Sequence, residues 1–194
     1  MQTVCVFCGS SSGGDPVYAD AARRLGTVLV AHGLTLIYGG GHVGLMGVVA
    51  DSVLAVGGKV VGVINRALVE KELAHTGLTE LHVVETMHQR KALMAERADA
   101  FVALPGGFGT LDELFEILTW RQLGMHVKPI GLLNVAGYFD QLLGWIDHAV
   151  SARFVKQKHR ELLLVADEPE RLVEMLMSYR VPPGQEKWIR SGEV

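Results

Sequence analysis

The sequence AFVALPGGFGTLDE, residues 100–113, joins a short apolar run to a glycine-rich turn and then to the start of a helix. Residues 100–104 have the length and composition of a buried strand, and residues 110–123 carry apolar side chains at helical spacing. The same order of strand, turn and helix recurs along the chain, and the other strands are also runs of Val, Ile and Leu. Such strands are typical of a parallel sheet with helices on both faces.

This pattern predicts seven strands and six helices. The strands are residues 3–7, 34–38, 59–64, 81–84, 101–104, 129–133 and 162–165. The helices are residues 16–32, 44–56, 87–97, 110–123, 138–150 and 169–177, and a polar connection covers 65–79. Right-handed crossovers between such strands give one doubly wound, Rossmann-like α/β domain with a mostly parallel sheet. We expect this domain at residues 1–180 and a C-terminal tail at 181–194.

The composition is that of a compact globular protein. Of 194 residues, 49% are hydrophobic and 20% are charged, and this length suits one domain. The formal net charge of −3 argues against nucleic acid as a partner, since contacts to phosphate backbones need clustered positive charge. No signal peptide is visible, and glycine or charge interrupts each apolar stretch before it could span a membrane. We therefore expect a soluble cytoplasmic protein with no membrane partner.

Cys5 and Cys8 are the two cysteines and have the spacing C-x-x-C. They lie in a predicted buried strand, where an odd offset directs the two side chains to opposite faces. A redox pair would need a helix N-terminus beside it, and a zinc site would need two further ligands. The eight histidines also lack metal-binding spacing. The sequence thus predicts buried free thiols, with neither a metal nor another cofactor.

Three glycine-rich segments follow predicted strands. They are Gly9-Ser10-Ser11-Ser12-Gly13, Gly39-Gly40-Gly41 and Gly106-Gly107. Because ligands bind at the carboxyl ends of parallel strands, the three segments should converge at one edge of the sheet. Backbone N–H groups at a helix start favour an anion, so we expect a phosphate group there.

Two of these segments also match other motifs. The G-x-G-x-x-G that begins at Gly39 fits a dinucleotide fingerprint, but it follows the second strand, and the next strand does not end in an acid. The G-x-S-x-G around Ser11 fits the nucleophile elbow of a hydrolase, but it follows the first strand of a short chain. Phosphate binding or the shaping of a tight turn is the better interpretation of both segments.

Thr110 and Glu113 allow two interpretations. Their spacing is that of a capping box, in which Thr and Glu side chains bond backbone N–H groups at a helix start. A capping box does not require the preceding glycines, however, and a carboxylate would repel an anion held there. Glu113 would then serve by facing positive charge that develops during a reaction. The spacing alone favours a capping box, whereas the preceding glycines favour a role for Glu113 in a reaction.

Arg90 and Lys91 are a second local conflict. Thr86 and Gln89 form another predicted capping box, so the two cations fall near the first turn of their helix. Cations at that end oppose the helix dipole. Either they belong to a solvated basic patch, or they face an anionic ligand at the same sheet edge as Glu113.

These motifs together resemble the LOG ("lonely guy") family of cytokinin-activating phosphoribohydrolases, over residues 3–180. The likeness is carried by FCGSS at 7–11, YGGGHVGLMG at 38–47, MHQRK at 87–91, PGGFGTLDE at 105–113, TWRQLG at 119–124 and KPIGLLN at 128–134. Chains of this kind have also been described as lysine decarboxylases, but no pyridoxal site can be argued from these residues.

The resemblance implies hydrolysis of the N-glycosidic bond of cytokinin riboside 5′-monophosphates, with AMP as a further substrate or analogue, by a homodimer. It implies that Glu113 stabilises the oxocarbenium-like sugar or orients water, and that Arg90 helps the purine depart. The implied substrate-binding residues are Gly9, Ser10, Gly39, Gly40, Gly41, Glu72, Met87, Arg90, Lys91, Gly106, Gly107, Phe108, Gly109, Thr110, Leu111, Asp112, Glu113 and Thr119. A non-catalytic purine-nucleotide carrier on the same fold is the alternative.

Overall fold

The computed structural model describes residues 1–71 and 73–181, so nearly all of the predicted tail lies outside the described residues. The strands are β1 (Thr3–Phe7), β2 (Thr35–Tyr38), β3 (Val60–Asn65), β4 (Glu80–Val84), β5 (Ala100–Ala103), β6 (Ile130–Leu133) and β7 (Leu163–Ala166). The helices are α1 (Pro16–Ala31), α2 (Gly44–Ala55), α3 (Arg66–Val69), α4 (Met87–Arg97), α5 (Phe108–Gln122), α6 (Asp140–Ser151), α7 (Gln157–Arg160) and α8 (Pro169–Ser178).

The described strands form one parallel sheet in the order β4-β3-β2-β1-β5-β6-β7. From β1 the chain runs outward to β4, returns through α4 to β5 on the other side of β1, and then runs outward to β7. The strand order therefore reverses between β1 and β5, which is where doubly wound sheets bind their ligands. The predicted doubly wound α/β fold is confirmed.

Helices cover both faces of the sheet and bury two separate apolar layers. One layer packs α1, α2 and α8 against the sheet, and the other packs α4, α5 and α6. Cys8 belongs to the first layer and Cys5 to the second, so the predicted placement on opposite faces is confirmed. Both thiols are free, and burial raises the pKa of each, which keeps them protonated and unreactive.

Two helices begin at other residues than predicted, and two short helices were not predicted. α5 begins at Phe108, two residues early, because Gly107 already has the extended backbone of an N-cap. α6 begins at Asp140, two residues late, because the Asn134 side chain accepts the N–H of Phe139 at 2.8 Å and holds a turn there. The short helices α3 and α7 fall where the sequence predicted only connections. No helix in the described ranges is long and apolar enough to cross a membrane.

The three glycine-rich segments contact one another at the carboxyl edge of the sheet, as predicted. They follow β2, β1 and β5, which are neighbours in the sheet. Gly9 N donates to Pro105 O at 3.0 Å, and Leu45 N donates to Gly9 O at 3.0 Å. A side chain at Gly44 would overlap the backbone of Ser10. The loop after β1 thus lies between the other two, and backbone atoms make the contacts.

Alanine at Gly44 tests how closely these loops pack. Gly44 and Gly57 flank α2 with positive φ angles of 59° and 77°, so alanine costs about 1 kcal/mol at either position through backbone conformation. An added Cβ meets nothing within 4 Å at Gly57, but overlaps the Ser10 backbone at Gly44. We expect Gly44→Ala to lower the free energy of unfolding in urea by about 2 kcal/mol more than Gly57→Ala. Equal losses would contradict close packing of the loops.

Candidate active site

A cavity of about 480 Å³ opens at the carboxyl edge of the sheet. The predicted site residues that line it are Gly9, Ser10, Gly39, Gly41, Met87, Arg90, Gly107, Phe108, Gly109, Thr110, Asp112 and Glu113. They come from the loops and helices that follow β1, β2, β4 and β5. Apolar side chains complete the wall, namely Val43, Met46, Ile64, Leu68 and Leu73, together with Cys8. The structure thus brings most of the predicted residues to one pocket.

Five predicted residues are not part of this cavity wall: Gly40, Lys91, Gly106, Leu111 and Thr119. Gly40 packs against Ile64, and Gly106 packs against Gly9. Both glycines therefore lie behind the residues that line the cavity. Leu111 packs its side chain into the apolar layer beneath α5. A sixth predicted residue, Glu72, lies outside the described residues.

Thr119 lies further along α5, away from the cavity. Its hydroxyl donates to the carbonyl of Phe115 at 2.7 Å, within the helix. It also lines a separate groove of about 180 Å³ that contains Trp145 and Val155. Thr119 is therefore not placed to bind a ligand in the cavity of its own chain.

Arg90 and Glu113 form a buried ion pair in the cavity wall. Nη1 of Arg90 lies 2.9 Å from Oε1 of Glu113, and the two residues are only 6% and 9% exposed. They project from early turns of α4 and α5, the helices that follow β4 and β5. Because its guanidinium is buried, Arg90 is not part of a solvated basic patch, and that interpretation is wrong.

Two backbone carbonyl groups fix the Arg90 guanidinium. Its Nε donates to Val63 O at 2.9 Å, and its Nη2 donates to Gly39 O at 3.0 Å. A side chain at position 39 would overlap Nη2, so the site requires glycine there. The planar guanidinium has three acceptors in fixed directions, and it therefore presents a defined edge to Glu113.

Glu113 is not a helix cap. Gly107 is the N-cap of α5, with φ −91° and ψ −150°, and among the described residues no side chain bonds the N–H groups of the first turn. Thr110 and Glu113 consequently lie inside the helix, and the capping-box interpretation is wrong. The helix starts before Thr110 is reached because Gly107 already has a capping conformation.

The Glu113 carboxyl has a raised pKa. Burial is the largest cause of the shift, while the charge and hydrogen bond of Arg90 act against it. Oε1 accepts from Arg90, and Oε2 has no hydrogen-bond partner among residues 1–71 and 73–181. A raised pKa moves a carboxyl toward the pH at which it can exchange protons with a substrate or with water.

Lys91 is held by two acids of α5. Its Nζ lies 3.0 Å from Oδ2 of Asp112 and 3.1 Å from Oε1 of Glu116. Burial tends to lower the pKa of Lys91, but the hydrogen bonds to the two carboxylates outweigh it and the pKa is raised. Lys91 thus ties α4 to α5 beside the Arg90–Glu113 pair, which fits neither a solvated patch nor direct contact with a ligand in the cavity.

The N-terminus of α5 gives the cavity its anion-binding character. Residues 107–110 line the cavity, and this 15-residue helix has no side-chain cap. The N-terminus of α4 differs, because Thr86 and Gln89 form the predicted capping box there. Uncapped N–H groups and the helix dipole both attract an anion, so α5 and not α4 offers the site.

Known proteins resemble this chain over nearly its full length. Residues 46–176 match a family model described as "Possible lysine decarboxylase". The Arabidopsis thaliana protein named cytokinin riboside 5′-monophosphate phosphoribohydrolase LOG7 is 51% identical over 92% of this chain and 82% of its own length. A rice protein (Oryza sativa subsp. japonica), named as a probable enzyme of the same kind, is 53% identical over 92% of this chain and 79% of its own length. The chain belongs to the LOG family.

Solved structures share the fold of this LOG chain at much lower identity. The molybdenum cofactor binding protein of Rippkaea orientalis has a TM-score of 0.70 over 91% of this chain and 96% of its own, at 21% identity. The molybdenum cofactor carrier protein of Chlamydomonas reinhardtii has a TM-score of 0.69 over 92% and 99%, at 19% identity. These similarities show the fold alone.

The residues of the cavity do not support the decarboxylase description of the LOG family model. Pyridoxal-dependent enzymes hold their cofactor on a lysine. The described residues that line the cavity include no lysine, and Lys91 is bonded to Asp112 and Glu116 instead. No group of three or more His, Cys, Asp or Glu in the described part of the chain is placed to hold a metal ion.

The sequence did not reveal every partner in this LOG site. The carbonyl groups of Gly39 and Val63 hold Arg90, but backbone acceptors carry no sequence signal. Glu116 could have been found, because it follows Asp112 by four residues and therefore lies on the same helix face.

Substitutions at Glu113 test the burial of the ion pair. Glu113→Ala leaves a buried guanidinium without its counter-charge and should lower the free energy of unfolding by about 3 kcal/mol or more. Glu113→Gln keeps an acceptor for Nη1 and should lose only about 1–2 kcal/mol. Asp112→Asn is the matched control, since the Asp112 side chain is exposed and Lys91 keeps Glu116 as a partner, so the loss should be less than about 1 kcal/mol. Urea denaturation at neutral pH measures all three, and an equal loss for Glu113→Ala and Asp112→Asn would contradict a buried pair.

Proposed function

We propose that this protein hydrolyses the N-glycosidic bond of cytokinin riboside 5′-monophosphates and of AMP, releasing the purine base and ribose 5-phosphate. Relatives named for the cytokinin reaction are 51% and 53% identical to it. The observation that carries the proposal is the buried Arg90–Glu113 pair, which lies in the same cavity wall as the uncapped N-terminus of α5. An anion site beside a buried carboxylate suits a phosphorylated sugar that develops positive charge.

The 5′-phosphate binds, in this proposal, to backbone N–H groups at the start of α5. A side chain added at Gly107 or Gly109 would meet no atom within 4 Å, so the two glycines leave open space over these groups. Phosphate oxygens can therefore approach the backbone closely. Gly9 and Gly39 line the same cavity and bring further backbone to it.

The ribose then lies between the phosphate and Glu113. Glu113 follows Gly107 by six positions, which corresponds to about 9 Å along a helix that rises about 1.5 Å per residue. Helical side chains lean toward the N-terminus, so the carboxylate reaches back toward the phosphate site. A ribose between the two sites would have its anomeric carbon next to the carboxylate.

Glu113 acts on the reaction at the anomeric carbon. The C–N bond breaks with its electron pair leaving on the purine, which takes up a proton from solvent, and the ribose becomes positively charged and oxocarbenium-like. Ionised Glu113 stabilises that charge and accepts a proton from the water whose oxygen bonds to the anomeric carbon. The free Oε2 is the oxygen available for this contact, since Oε1 is held by Arg90.

Arg90 keeps Glu113 ionised and oriented, and it also helps the purine to leave. A guanidinium has five N–H bonds. Three of them are directed to Glu113, Val63 O and Gly39 O. The other two remain for a purine nitrogen that gains negative charge as the bond breaks, and Arg90 lines the cavity. This role extends the one that the resemblance implies.

The apolar part of the cavity wall suits the base. Val43, Met46, Ile64, Leu68 and Leu73 bring aliphatic and thioether surface to it. A purine with an apolar N6 substituent would bury its surface against them, and flexible methionines adapt to irregular shapes. These contacts would favour cytokinin nucleotides over AMP without excluding AMP.

A non-catalytic nucleotide carrier is less well supported. Such a protein gains no affinity for a phosphate from a buried carboxylate nearby, because the two anions repel each other. The solved structures whose titles name a carrier are 19% identical to this chain, a level that shows only the fold. A carrier would bind AMP without releasing base.

We also propose a homodimer in the cytoplasm. Phe154 is 90% exposed and Trp145 58% exposed, and Trp145 lines the groove that contains Thr119. A second chain over this groove would bury the Trp145 ring and add contacts to Thr119. The free thiols of Cys5 and Cys8 suit a reducing compartment.

The base-release assay tests the proposed chemistry. Glu113→Gln and Arg90→Ala should each slow the release of base from isopentenyladenosine 5′-monophosphate at least about 100-fold, because each removes a charge that acts in the transition state. Glu116→Gln is the control, since Glu116 belongs to the same helix but is not among the residues that line the cavity, and it should stay within about threefold of wild type. Near-wild-type turnover by a folded Glu113→Gln protein would refute the assignment.

A further inference from the structure

Tyr138 reaches the glycine loop after β5 from outside the cavity. Its hydroxyl donates to the carbonyl oxygen of Gly106 at 2.8 Å. The contact lies beside a second cavity of about 250 Å³, which Tyr138, Gly106 and Gly107 line together. Gly107 lines both cavities, whereas Gly106 and Tyr138 do not line the one that contains Glu113. Tyr138 therefore contacts the back of the loop whose front faces the proposed phosphate.

Several contacts orient the Tyr138 ring, although the residue is 43% exposed. Asn134, just after β6, accepts the N–H of Phe139 at 2.8 Å and donates to Asp140 at 2.8 Å, so the turn that carries Tyr138 is closed by side-chain hydrogen bonds. The ring packs edge-on against Phe139 at 4.9 Å and against Tyr18 at 5.6 Å between centroids. A ring held in this way can aim its hydroxyl without loss of further side-chain entropy on binding.

The hydrogen bond to Gly106 has a consequence on the other side of the loop. The carbonyl of Gly106 and the N–H of Gly107 belong to one peptide unit, which is planar and trans, so the two groups point in opposite directions. A bond that holds the carbonyl toward Tyr138 turns the Gly107 N–H to the opposite side, away from Tyr138. Glycine on both sides gives this unit little conformational restraint of its own. The donated hydrogen bond also polarises the peptide and strengthens its N–H as a donor.

We propose that Tyr138 is a positioning residue for phosphate recognition, because it locks the Gly106–Gly107 peptide with the N–H of Gly107 facing the ligand. The inference rests on the proposed function for its phosphate site, but it assigns no chemistry to Tyr138. Its effect is therefore specific to ligands that carry the phosphate and acts on binding rather than on turnover.

Binding of AMP and adenosine tests this role. Tyr138→Phe keeps the ring and removes only the hydroxyl, and it is made together with Glu113→Gln so that hydrolysis is slow during the binding measurement. We expect the Kd for AMP, by calorimetry, to rise about fivefold, which is the effect of one net hydrogen bond, while the Kd for adenosine stays unchanged. In a chain with Glu113 intact, Tyr138→Phe should raise KM for the nucleotide and leave kcat within about twofold.

Tyr18→Phe is the matched control. Tyr18 packs against Tyr138 and lines the same second cavity, but its hydroxyl makes no hydrogen bond in the described ranges. This variant should leave the Kd for AMP unchanged. The inference is overturned if Tyr138→Phe leaves AMP binding unchanged, if it weakens AMP and adenosine equally, or if Tyr18→Phe has the same effect. These Kd values do not depend on base release, so a protein that binds AMP without hydrolysing it would refute the proposed function while still testing Tyr138.

Discussion

A buried guanidinium keeps its charge, so Arg90 needs a carboxylate within reach, and Glu113 supplies it at 2.9 Å. The Arg90–Glu113 ion pair forms only when four secondary-structure elements are in place. Carbonyl groups at β2 and β3 orient Arg90 on α4, and α5 carries Glu113. The interaction therefore couples the core of the sheet to the position of the site. Removing either partner leaves a buried charge, or a buried carboxyl that must take up a proton, beside the cavity.

The same ion pair reduces the repulsion between an anion at the start of α5 and the Glu113 carboxylate. The uncapped start of α5 attracts an anion, and Glu113 on that helix would repel it. Arg90 offsets the charge of Glu113 without filling the space in front of Oε2. Lys91, Asp112 and Glu116 form a second network outside the cavity, which holds α4 and α5 together. A phosphorylated sugar can thus meet backbone N–H groups at one end and a carboxylate at the other.

Most of the fold could be predicted from the sequence because apolar runs, glycine turns and helical spacing all agree along the chain. Because the strands are parallel, the loops that follow them were expected to converge. This prediction required no knowledge of side-chain contacts. The capping-box interpretation of Glu113 failed because the spacing of Thr110 and Glu113 does not reveal that Gly107 has already begun the helix. The prediction for Thr119 came from resemblance, and that for Lys91 began from its position near the start of a helix. The neighbours of both residues depend on tertiary packing that a motif does not contain.

A crystal structure of Glu113→Gln with bound AMP tests the central claim most directly, because the variant keeps the hydrogen bond to Arg90 while slowing hydrolysis. We predict the 5′-phosphate on the backbone N–H groups of residues 107–110 and the Gln side chain within roughly 4 Å of the anomeric carbon, which is near-attack distance. A phosphate bound away from the start of α5, or an anomeric carbon remote from position 113, would contradict the account.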